Sequence, residues 1–537
     1  MRSEQVTGNT PQLNAVAEIV STADWRPTVN PWIIAVSVMA ATFMEVLDTS
    51  VANVALPHIA GNLSASTDEA TWVLTSYLVS NAIVLPATGW LSRAFGRKRF
   101  LIVCIAIFTL ASALCGAASS LGLLILARVM QGAAGGALQP ISQAVLLESF
   151  PPAKRGIAMG VFGMGVVVAP IVGPTLGGWI TDEYSWRWIF YINLPMGLLA
   201  ITMVQAFVED PSYLKRAIGR GIDYAGFGLL MVWLATFQII LDKGQEADWF
   251  AAAWIRVLAA ISLAAFVAFV LWEMQTAEPI VSLRVLANRN FAVGTLLMMT
   301  LGIVLYGMTA LLPLFLQTLM GYSALQSGLA VSPRGLGAML AMFIVGRLVG
   351  LLDTRILLAV GFSLLAATGV LFGRINLDIG MASVVWPNIL SGFAIGFIFV
   401  PLATVAMGTL RREQIGDASG IFNLMRNLGG GVGISLVTTS VARQAQVHQA
   451  MLVQHLTPYD PAMSQWLGTV QAALTSHTGA WTGAREVWAV LYNTLVTQAT
   501  LAAYVDTFRM LALLCLACLP AVLLLGKARR QGPVAVH

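Results

Sequence analysis

Long apolar stretches recur along almost the whole of this 537-residue chain, and they constrain its fold more than any other feature. Most reach about 18 residues or more, the length at which a helix can cross a bilayer. Hydrophobic residues make up 58% of the chain and charged residues 10%, whereas soluble domains carry about a quarter charged residues. We therefore predict an all-α, polytopic membrane protein.

Fourteen stretches are predicted to span the membrane as helices. They cover approximately residues 32–56, 71–91, 100–118, 122–146, 156–180, 188–208, 223–241, 252–272, 291–316, 326–348, 355–374, 382–408, 416–440 and 502–525. This order fits two six-helix halves with two inserted helices between them. The predicted organisation is a cytoplasmic tail 1–30, a first half 31–210, the inserted helices with flanking loops 211–280, a second half 281–526 and a cytoplasmic tail 527–537.

Basic residues mark every second loop between the predicted spans. Arg97 and Lys98 follow the second span, and Lys154 and Arg155 follow the fourth. The loops after odd-numbered spans are nearly free of Lys and Arg. The positive-inside rule therefore places both termini in the cytoplasm, which an even number of spans also requires. No signal peptide is evident, so we expect the first span to act as an uncleaved insertion signal.

One predicted loop is long, residues 443–501, and this topology places it outside. It is polar and mildly amphipathic, and it contains Trp466, Trp481 and Trp488. Such a segment can lie on the membrane interface as a surface element. It can equally provide a docking surface for an extracytoplasmic partner, and both interpretations stay open.

Two carboxylates, Glu45 and Asp48, lie inside the first apolar stretch. An ionised side chain in the bilayer core costs at least about 2.5 to 3.5 kcal/mol on insertion scales, so it indicates a function. The i, i+3 spacing puts both groups on one helix face. Burial disfavours the charged form of a carboxylate, which can then exchange a proton near neutral pH. The pair therefore indicates transport driven by a proton gradient.

Arg128, in the fourth predicted span, is expected to lie at nearly the depth of Asp48. At 1.5 Å per residue, their distances from the outer helix ends differ by only about one turn. If the two helices face each other, Arg128 can pair with Asp48 or with Glu45, and its movement would load and unload a proton. A fixed structural ion pair is the alternative. Glu45 can instead contact a cationic substrate.

The fifth predicted span ends in an unusual run of glycine and proline, Gly173-Pro-Thr-Leu-Gly177-Gly178. Small residues allow helices to pack closely, and Pro170 and Pro174 remove backbone donors and favour a bend. A static, tight helix crossing would explain this pattern. The run also resembles the antiporter signature at the outer end of span five in the major facilitator superfamily.

Other segments resemble the same superfamily. Leu47 to Pro57 looks like the first-span motif of its 14-span drug:proton antiporter family, and Arg128 to Gly135 is similar to the fourth-span basic motif. Gly89 to Lys98 resembles the loop-two motif. Together with Pro151 to Arg155 and Trp188 to Pro195, the pattern looks most like the Emr-type multidrug export permeases of Gram-negative bacteria.

The resemblance implies a major facilitator fold with 14 transmembrane helices in the bacterial inner membrane. It implies proton-coupled export of amphipathic or hydrophobic toxic compounds, including uncouplers and lipophilic weak acids, with a periplasmic adaptor and an outer-membrane channel as partners. A proton-coupled importer or exporter of one metabolite on the same fold is the alternative. Gating or conformational roles are implied for Gly173, Pro174, Gly177, Gly178, Gly89, Gly96 and Arg97.

This chain departs from the loop-two motif at one position. Arg93 stands where the wider superfamily carries an acidic residue. Any inner-gate salt bridge assigned to that acid is therefore in doubt.

Further polar residues in the predicted spans are candidates for a substrate cavity or a structural network between helices. Asn423 and Asn427 are spaced i, i+4 and share a helix face. The full set is Asn53, Gln131, Arg334, Asn423, Arg426, Asn427 and Asp506.

The residue patterns argue against several other functions. The five histidines form no HExxH spacing, and no glycine-rich phosphate loop is evident, so we predict no enzyme activity. Cys515 and Cys518 have CxxC spacing without a second ligand pair, so we expect packed thiols rather than a metal site. No basic run with interleaved aromatics indicates nucleic-acid binding. The expected energy source is the proton gradient, without a cofactor or metal.

Overall fold

The computed structural model describes residues 27–65, 67–151, 154–210, 223–276, 279–411, 414–457, 459, 461–478 and 480–526. Within these ranges the regular secondary structure is helical, and the predicted all-α membrane fold is confirmed. Most of the predicted tails, 1–26 and 527–537, and the basic stretch 211–222 lie outside the described residues.

Among the described residues, the first half of the chain and the inserted pair contain ten α-helices. They are α1 (Pro31–Asn62), α2 (Thr67–Ala70), α3 (Trp72–Phe95), α4 (Arg97–Ala117), α5 (Leu121–Ser149), α6 (Arg155–Glu183), α7 (Trp188–Tyr191), α8 (Asn193–Phe207), α9 (Tyr224–Lys243) and α10 (Ala253–Gln275). Here α9 and α10 are the inserted pair. A 3₁₀ turn, Trp249–Ala251, joins them.

In the part of the second half that the structure describes, eight α-helices follow a 3₁₀ turn, Leu283–Ala287. They are α11 (Arg289–Thr318), α12 (Ala324–Val331), α13 (Pro333–Leu348), α14 (Thr354–Phe372), α15 (Met381–Gly408), α16 (Ile415–Val453), α17 (Pro461–Thr478) and α18 (Ala480–Leu523). The break between α12 and α13 falls before Pro333, because proline fits the first turn of a helix but has no N–H to continue an earlier one.

Twelve segments of the described chain are helices long and apolar enough to cross a membrane, so the predicted count of fourteen is not confirmed. The other two predicted spans correspond to α3 and α16, which are long but carry many polar side chains. Asn81 on α3 and Asn423 and Arg426 on α16 are all buried. Because α3 and α16 pack against each other, their polar groups meet protein rather than lipid.

Glycines allow the backbones of the two halves to approach each other closely. A Cβ atom on Gly160 of α6 would lie 2.8 Å from the Met342 carbonyl oxygen of α13, and one on Gly420 of α16 would lie 2.8 Å from the Leu85 oxygen of α3. Both contacts lie towards the end of the bundle where Gly96 joins α3 to α4, here called the Gly96 end. Glycine is required there because any side chain would push the helices apart.

The predicted external loop 443–501 is largely helical in the described residues. α16 runs to Val453, well past the predicted end of its span, and α18 begins at Ala480 rather than near residue 502. Between them, α17 packs on α18. The prediction placed the helix ends where the apolar residues end. However, a polar, amphipathic sequence continues a helix readily when a neighbouring helix covers its less polar face.

Candidate functional site

Asp48 and Arg128 form a buried ion pair inside the first half. Arg128 Nη1 donates to Asp48 Oδ2 at 2.7 Å, and neither side chain is appreciably exposed. Gln131, one turn along α5, donates from Nε2 to Asp48 Oδ1 at 2.9 Å and accepts from Arg128 Nη1 at 2.9 Å. Arg128 thus meets Asp48, one of the two partners that helix depth predicted for it.

Groups from α3, α4 and α8 complete the surroundings of this ion pair. Asn193 Nδ2 donates to Asp48 Oδ1 at 2.6 Å and to Ser112 Oγ at 2.9 Å. Arg128 Nε donates to the Val73 carbonyl at 3.1 Å, and its guanidinium lies 4.2 Å from the Tyr77 ring centroid. A charge this deeply buried is stable only when paired and hydrogen-bonded, and this network provides both.

Glu45, one turn earlier on α1, has a different set of partners. Gln139 Nε2 donates to Glu45 Oε2 at 2.6 Å. The Tyr77 hydroxyl and Asn81 Nδ2 donate to Glu45 Oε1, each at 3.3 Å. All three are neutral donors from the first half, so the carboxylate is held by hydrogen bonds without a directly bonded cation.

The Glu45 network continues into the second half through amide side chains. Arg426 Nη2 on α16 donates to Gln139 Oε1, and Asn427 Nδ2 donates to Asn81 Oδ1 at 3.3 Å. One turn further along α5, Gln143 accepts from Ser419 at 2.8 Å and from Asn423 at 2.7 Å. Asn423, Arg426 and Asn427 therefore form a polar network that joins the two halves.

Two further ion pairs lie at the Gly96 end. Arg93 Nη1 donates to Asp417 Oδ1 of α16 at 2.5 Å, which joins the two halves. Arg97 donates to Glu148 within the first half, and both side chains are buried. The acidic residue of the loop-two motif is thus absent, but Arg93 in its place makes a salt bridge between the two halves. Gly89 allows the approach, since a Cβ there would meet the Asp417 backbone.

The glycine-rich end of α6 packs directly on α1, beside the two carboxylates. Ser50 Oγ donates to the Pro170 carbonyl at 3.1 Å, and a Cβ on Gly173 would collide with Ser50. A Cβ on Gly177 would collide with Val51. Gly178 is half-buried, and the Pro174 side chain lies outside the described set. Movement of α6 against α1 would therefore act on the helix that carries Glu45 and Asp48.

Three other predicted candidates lie apart from these networks. Arg334 is buried on α13 and donates to Thr309 Oγ1 at 2.8 Å. Asp506 is bonded to His448 at 2.8 Å near the opposite end of the bundle. Asn53 is exposed and donates to the Thr49 carbonyl at 3.2 Å.

Several site residues were missed in the sequence because neutral polar side chains attract less attention than charges. Gln139 and Gln143 follow the predicted candidate Gln131 at intervals of eight and four on α5, which puts all three on one helix face. This periodicity of amides in an apolar span indicates a polar face on the helix and could have identified these residues as candidates. Asn193 gave no comparable signal, because its partners lie far away along the chain, whereas Asp417 carried a charge at the start of the predicted span 416–440.

Buried charges at the junction of two helical halves define the class of protein. Secondary transporters are built in this way, with their sites near the middle of the bilayer and between repeated units. Among the described residues, no group of three or more His, Cys, Asp or Glu side chains could hold a metal ion.

Comparison with known proteins shows the family. The chain matches the Major Facilitator Superfamily over residues 38–434 and belongs to it. It is 40% identical to the multidrug export protein EmrB of Haemophilus influenzae over 423 residues, 78% of this chain and 82% of that protein. It is 38% identical to EmrB of Escherichia coli over 80% of this chain and 84% of that one.

Two further similarities extend over nearly the whole chain. The fatty acid resistance protein FarB of Neisseria gonorrhoeae is 36% identical over 490 residues, 91% of this chain and 95% of that protein. The crystal structure of the human organic anion transporter MFSD10 (TETRAN) aligns with a TM-score of 0.57 at 15% identity, covering 91% of this chain and 100% of that one. At this identity the second similarity concerns the fold alone.

Proposed function

We propose that this protein is a proton-coupled multidrug antiporter, which exports amphipathic or hydrophobic toxic compounds across the bacterial inner membrane. The names of its EmrB relatives support export of several drugs. The observation that carries proton coupling is the buried pair of Asp48 and Arg128. A carboxylate in that position can change its charge only by taking a proton, and its partner responds to the change.

Asp48 is the proposed proton site, and Arg128 is its switchable partner. Protonation of Asp48 removes the charge that attracts Arg128 Nη1, which can then rely on Gln131 Oε1. Arg128 Nη2 has no hydrogen-bond partner among the residues that the structure describes, so the guanidinium has unused donor capacity for a second position. Proton binding therefore favours a rearrangement of Arg128, and its return to Asp48 expels the proton. Glu45 is a second proton site or a contact for cationic substrates.

Alternating access would come from rocking of the two halves around Glu45. In the present conformation, Arg93 and Asp417 join the halves at the Gly96 end, and Glu45 and Arg426 are buried. Opening at that end requires these contacts to separate. The positive-inside prediction makes the Gly96 end cytoplasmic, so separation would admit a compound from the cytoplasm or inner leaflet. The glycines of α6 and the Gly89–Arg97 turn are the proposed gating elements.

The substrate range is proposed to include lipophilic weak acids and uncouplers as well as cationic drugs. Arg426 is buried, and its Nε and Nη1 atoms have no hydrogen-bond partner in the described part of the chain. Unpaired donors on a buried guanidinium provide a binding position for an anionic group once the halves part. The name of the FarB relative, a fatty acid resistance protein, fits an anionic substrate.

A periplasmic adaptor and an outer-membrane channel are the proposed partners. The described part of segment 443–501 is polar and largely helical, and it continues two helices past the predicted ends of their spans. It is therefore the proposed adaptor-binding surface. Deletion of this segment should abolish adaptor capture in a pull-down from membranes while transport in vesicles persists. Unchanged capture would overturn the docking proposal.

The coupling proposal is tested in proteoliposomes with an imposed proton gradient and a panel of drugs. Asp48→Asn should abolish gradient-driven extrusion, because the side chain no longer exchanges a proton. The matched control is Asp182→Asn, which changes an exposed carboxyl on α6 and should extrude at the wild-type rate. Wild-type extrusion by Asp48→Asn would show that Asp48 is not the coupling site. Uptake along the same gradient would identify an importer instead.

A further inference from the structure

One amide side chain, Gln139, bridges Glu45 of the first half and Arg426 of the second. Its Nε2 donates to Glu45 Oε2 at 2.6 Å, and its Oε1 accepts from Arg426 Nη2. The orientation of this amide follows from chemistry, because a guanidinium can only donate and an ionised carboxylate can only accept. Gln139 is therefore held with its nitrogen towards Glu45 and its oxygen towards Arg426.

Asn81 makes a second bridge of the same kind to the other carboxylate oxygen. Its Nδ2 donates to Glu45 Oε1, and its Oδ1 accepts from Asn427 Nδ2, both at 3.3 Å. Each oxygen of Glu45 is thus bonded to an amide of the first half, and each amide accepts from a residue of α16. Two separate routes connect this carboxylate to the second half.

Protonation of Glu45 conflicts with this arrangement. A proton on Oε2, at the position where Gln139 Nε2 donates, makes that oxygen a donor towards Gln139, so that two donors face each other. The amide relieves the conflict by turning over, which directs its nitrogen towards Arg426. Two donors then face each other and the contact between the halves is lost. A buried donor left without an acceptor is unfavourable, so the two halves are pushed towards separation.

We infer that Gln139 is a positioning residue that transmits the protonation state of Glu45 to Arg426, so that proton uptake loosens the contact between the two halves. Asn81 is a weaker parallel route. The inference rests on the proposed function in that the protons come from the transport cycle. It adds a specific role for Glu45, because its protonation state changes the contact with the second half. Neutral amide side chains transmit this change.

The charged and titratable groups around Glu45 are compatible with this mechanism. Tyr77 from α3 donates to Oε1, and Arg426 approaches from α16 through Gln139. Asp48 and Arg128, one turn away, pair with each other inside the first half. Arg426 is thus the cation whose position the Gln139 amide controls.

The test measures the distance between the halves while pH is changed. Spin labels are attached to cysteines at Phe95, at the end of α3, and at Thr409, just after α15. Both positions are exposed at the Gly96 end, one in each half. The four native cysteines, all buried, are replaced by alanine. We expect the distance between the labels to lengthen in the purified protein as pH falls.

Variants at Glu45 and Gln139 separate the relay from general loosening. Glu45→Gln should abolish the pH-dependent change in distance, Gln139→Met should remove most of it, and the double variant should match Glu45→Gln. Gln143→Met is the control, since Gln143 also bonds α16 but does not contact Glu45 through any hydrogen bond of the structure. It should keep the wild-type response. If Gln139→Met does not fold, Gln139→Asn replaces it, because its shorter side chain cannot span both partners.

Three outcomes would overturn the inference. They are no pH response in the wild type, a full response in Gln139→Met, or equal loss in Gln139→Met and Gln143→Met. Extrusion in proteoliposomes is measured separately. If label distances follow the expected pattern but the wild type extrudes no drug, the relay stands and the proposed function fails. If extrusion is proton-driven but Gln139→Met leaves the distance response unchanged, the proposed function stands and the relay fails.

Discussion

The surroundings of Asp48 and Glu45 differ sharply, although the two carboxylates lie three residues apart on one helix. Every hydrogen bond that the structure gives Asp48 comes from the first half, from Arg128, Gln131 and Asn193. The network of Glu45 crosses to α16 through Gln139. Rocking of the halves therefore breaks the Glu45 contacts directly, whereas the Asp48 ion pair lies within one half and opens only when Asp48 takes up a proton.

This difference also predicts how the two sites respond to mutation. Asp48 contacts its cation directly in a fully buried position, so each partner depends on the other. Glu45 reaches its cation only through an amide, and its other donors are neutral. Changes around Asp48 should therefore affect stability most, and changes around Glu45 should affect the coupling between the halves.

The largest effect is expected for Arg128→Met. Loss of one member of a buried pair leaves Asp48 as an uncompensated charge, which costs about 3 to 5 kcal/mol. The free energy of unfolding of the purified protein in detergent should fall by this amount. Adding Asp48→Asn should restore much of the loss, because the buried charge is then gone. Equal stability of the single and double variants would contradict the pairing.

A smaller loss is expected for Asn193→Leu. This change removes the 2.6 Å hydrogen bond to Asp48 Oδ1 but leaves Arg128 in place. A hydrogen bond to a charged group contributes about 1.5 to 3 kcal/mol. The free energy of unfolding, measured by thermal unfolding, should decrease by an amount within this range. The matched control Asn53→Leu, at an exposed position on α1, should change stability by less than about 0.5 kcal/mol.

Glu45→Gln should destabilise the protein by only about 1 kcal/mol. The new amide keeps the shape of the side chain and retains an oxygen that accepts a hydrogen bond from Gln139 or Asn81. No buried cation loses a direct ion pair. Measured beside Asp48→Asn, which leaves Arg128 unpaired, it should be clearly the milder change. A larger loss in Glu45→Gln than in Asp48→Asn would reverse the comparison between the two sites.

The smallest effect on stability is expected for Arg93→Gln. The side chain is 32% exposed, and solvent-screened ion pairs contribute less than about 1 kcal/mol. Its partner Asp417 belongs to the second half, so loss of the ion pair should instead increase the population of conformations that are open at the Gly96 end. A cysteine introduced at Gly416, beside Asp417, should react faster with a thiol reagent in Arg93→Gln than in the wild type. Unchanged reactivity would remove Arg93 from the gate.

Much of the fold was predictable because the hydrophobicity of a single segment indicates whether that segment lies in the membrane. Long apolar runs predict membrane helices whatever surrounds them. Helices α3 and α16 show the limit of this reasoning, since their polar side chains face each other and not lipid. The polar helices between 443 and 501 were missed, because apolar composition marks where lipid ends and not where a helix ends.

The charged part of the site was predictable because a charged side chain within the membrane is stable only beside a partner. Helix depth limited the partner of Arg128 to Asp48 or Glu45, and the structure pairs it with Asp48. The neutral residues Asn193 and Gln139 could not be assigned in this way. An amide is tolerated in many buried positions, so only its actual neighbours reveal what it connects.

The sequence by itself determined that this chain is a helical membrane protein, and it placed two carboxylates and a buried arginine at nearly one depth. Hydrophobicity and helix geometry are local properties, and they can be read along a single chain. Only the tertiary structure decided that Asp48 is enclosed within one half while Glu45 is connected to both. That distinction depends on side chains nearly 400 residues apart, such as Glu45 and Arg426, which are connected through Gln139 only when the two halves pack together.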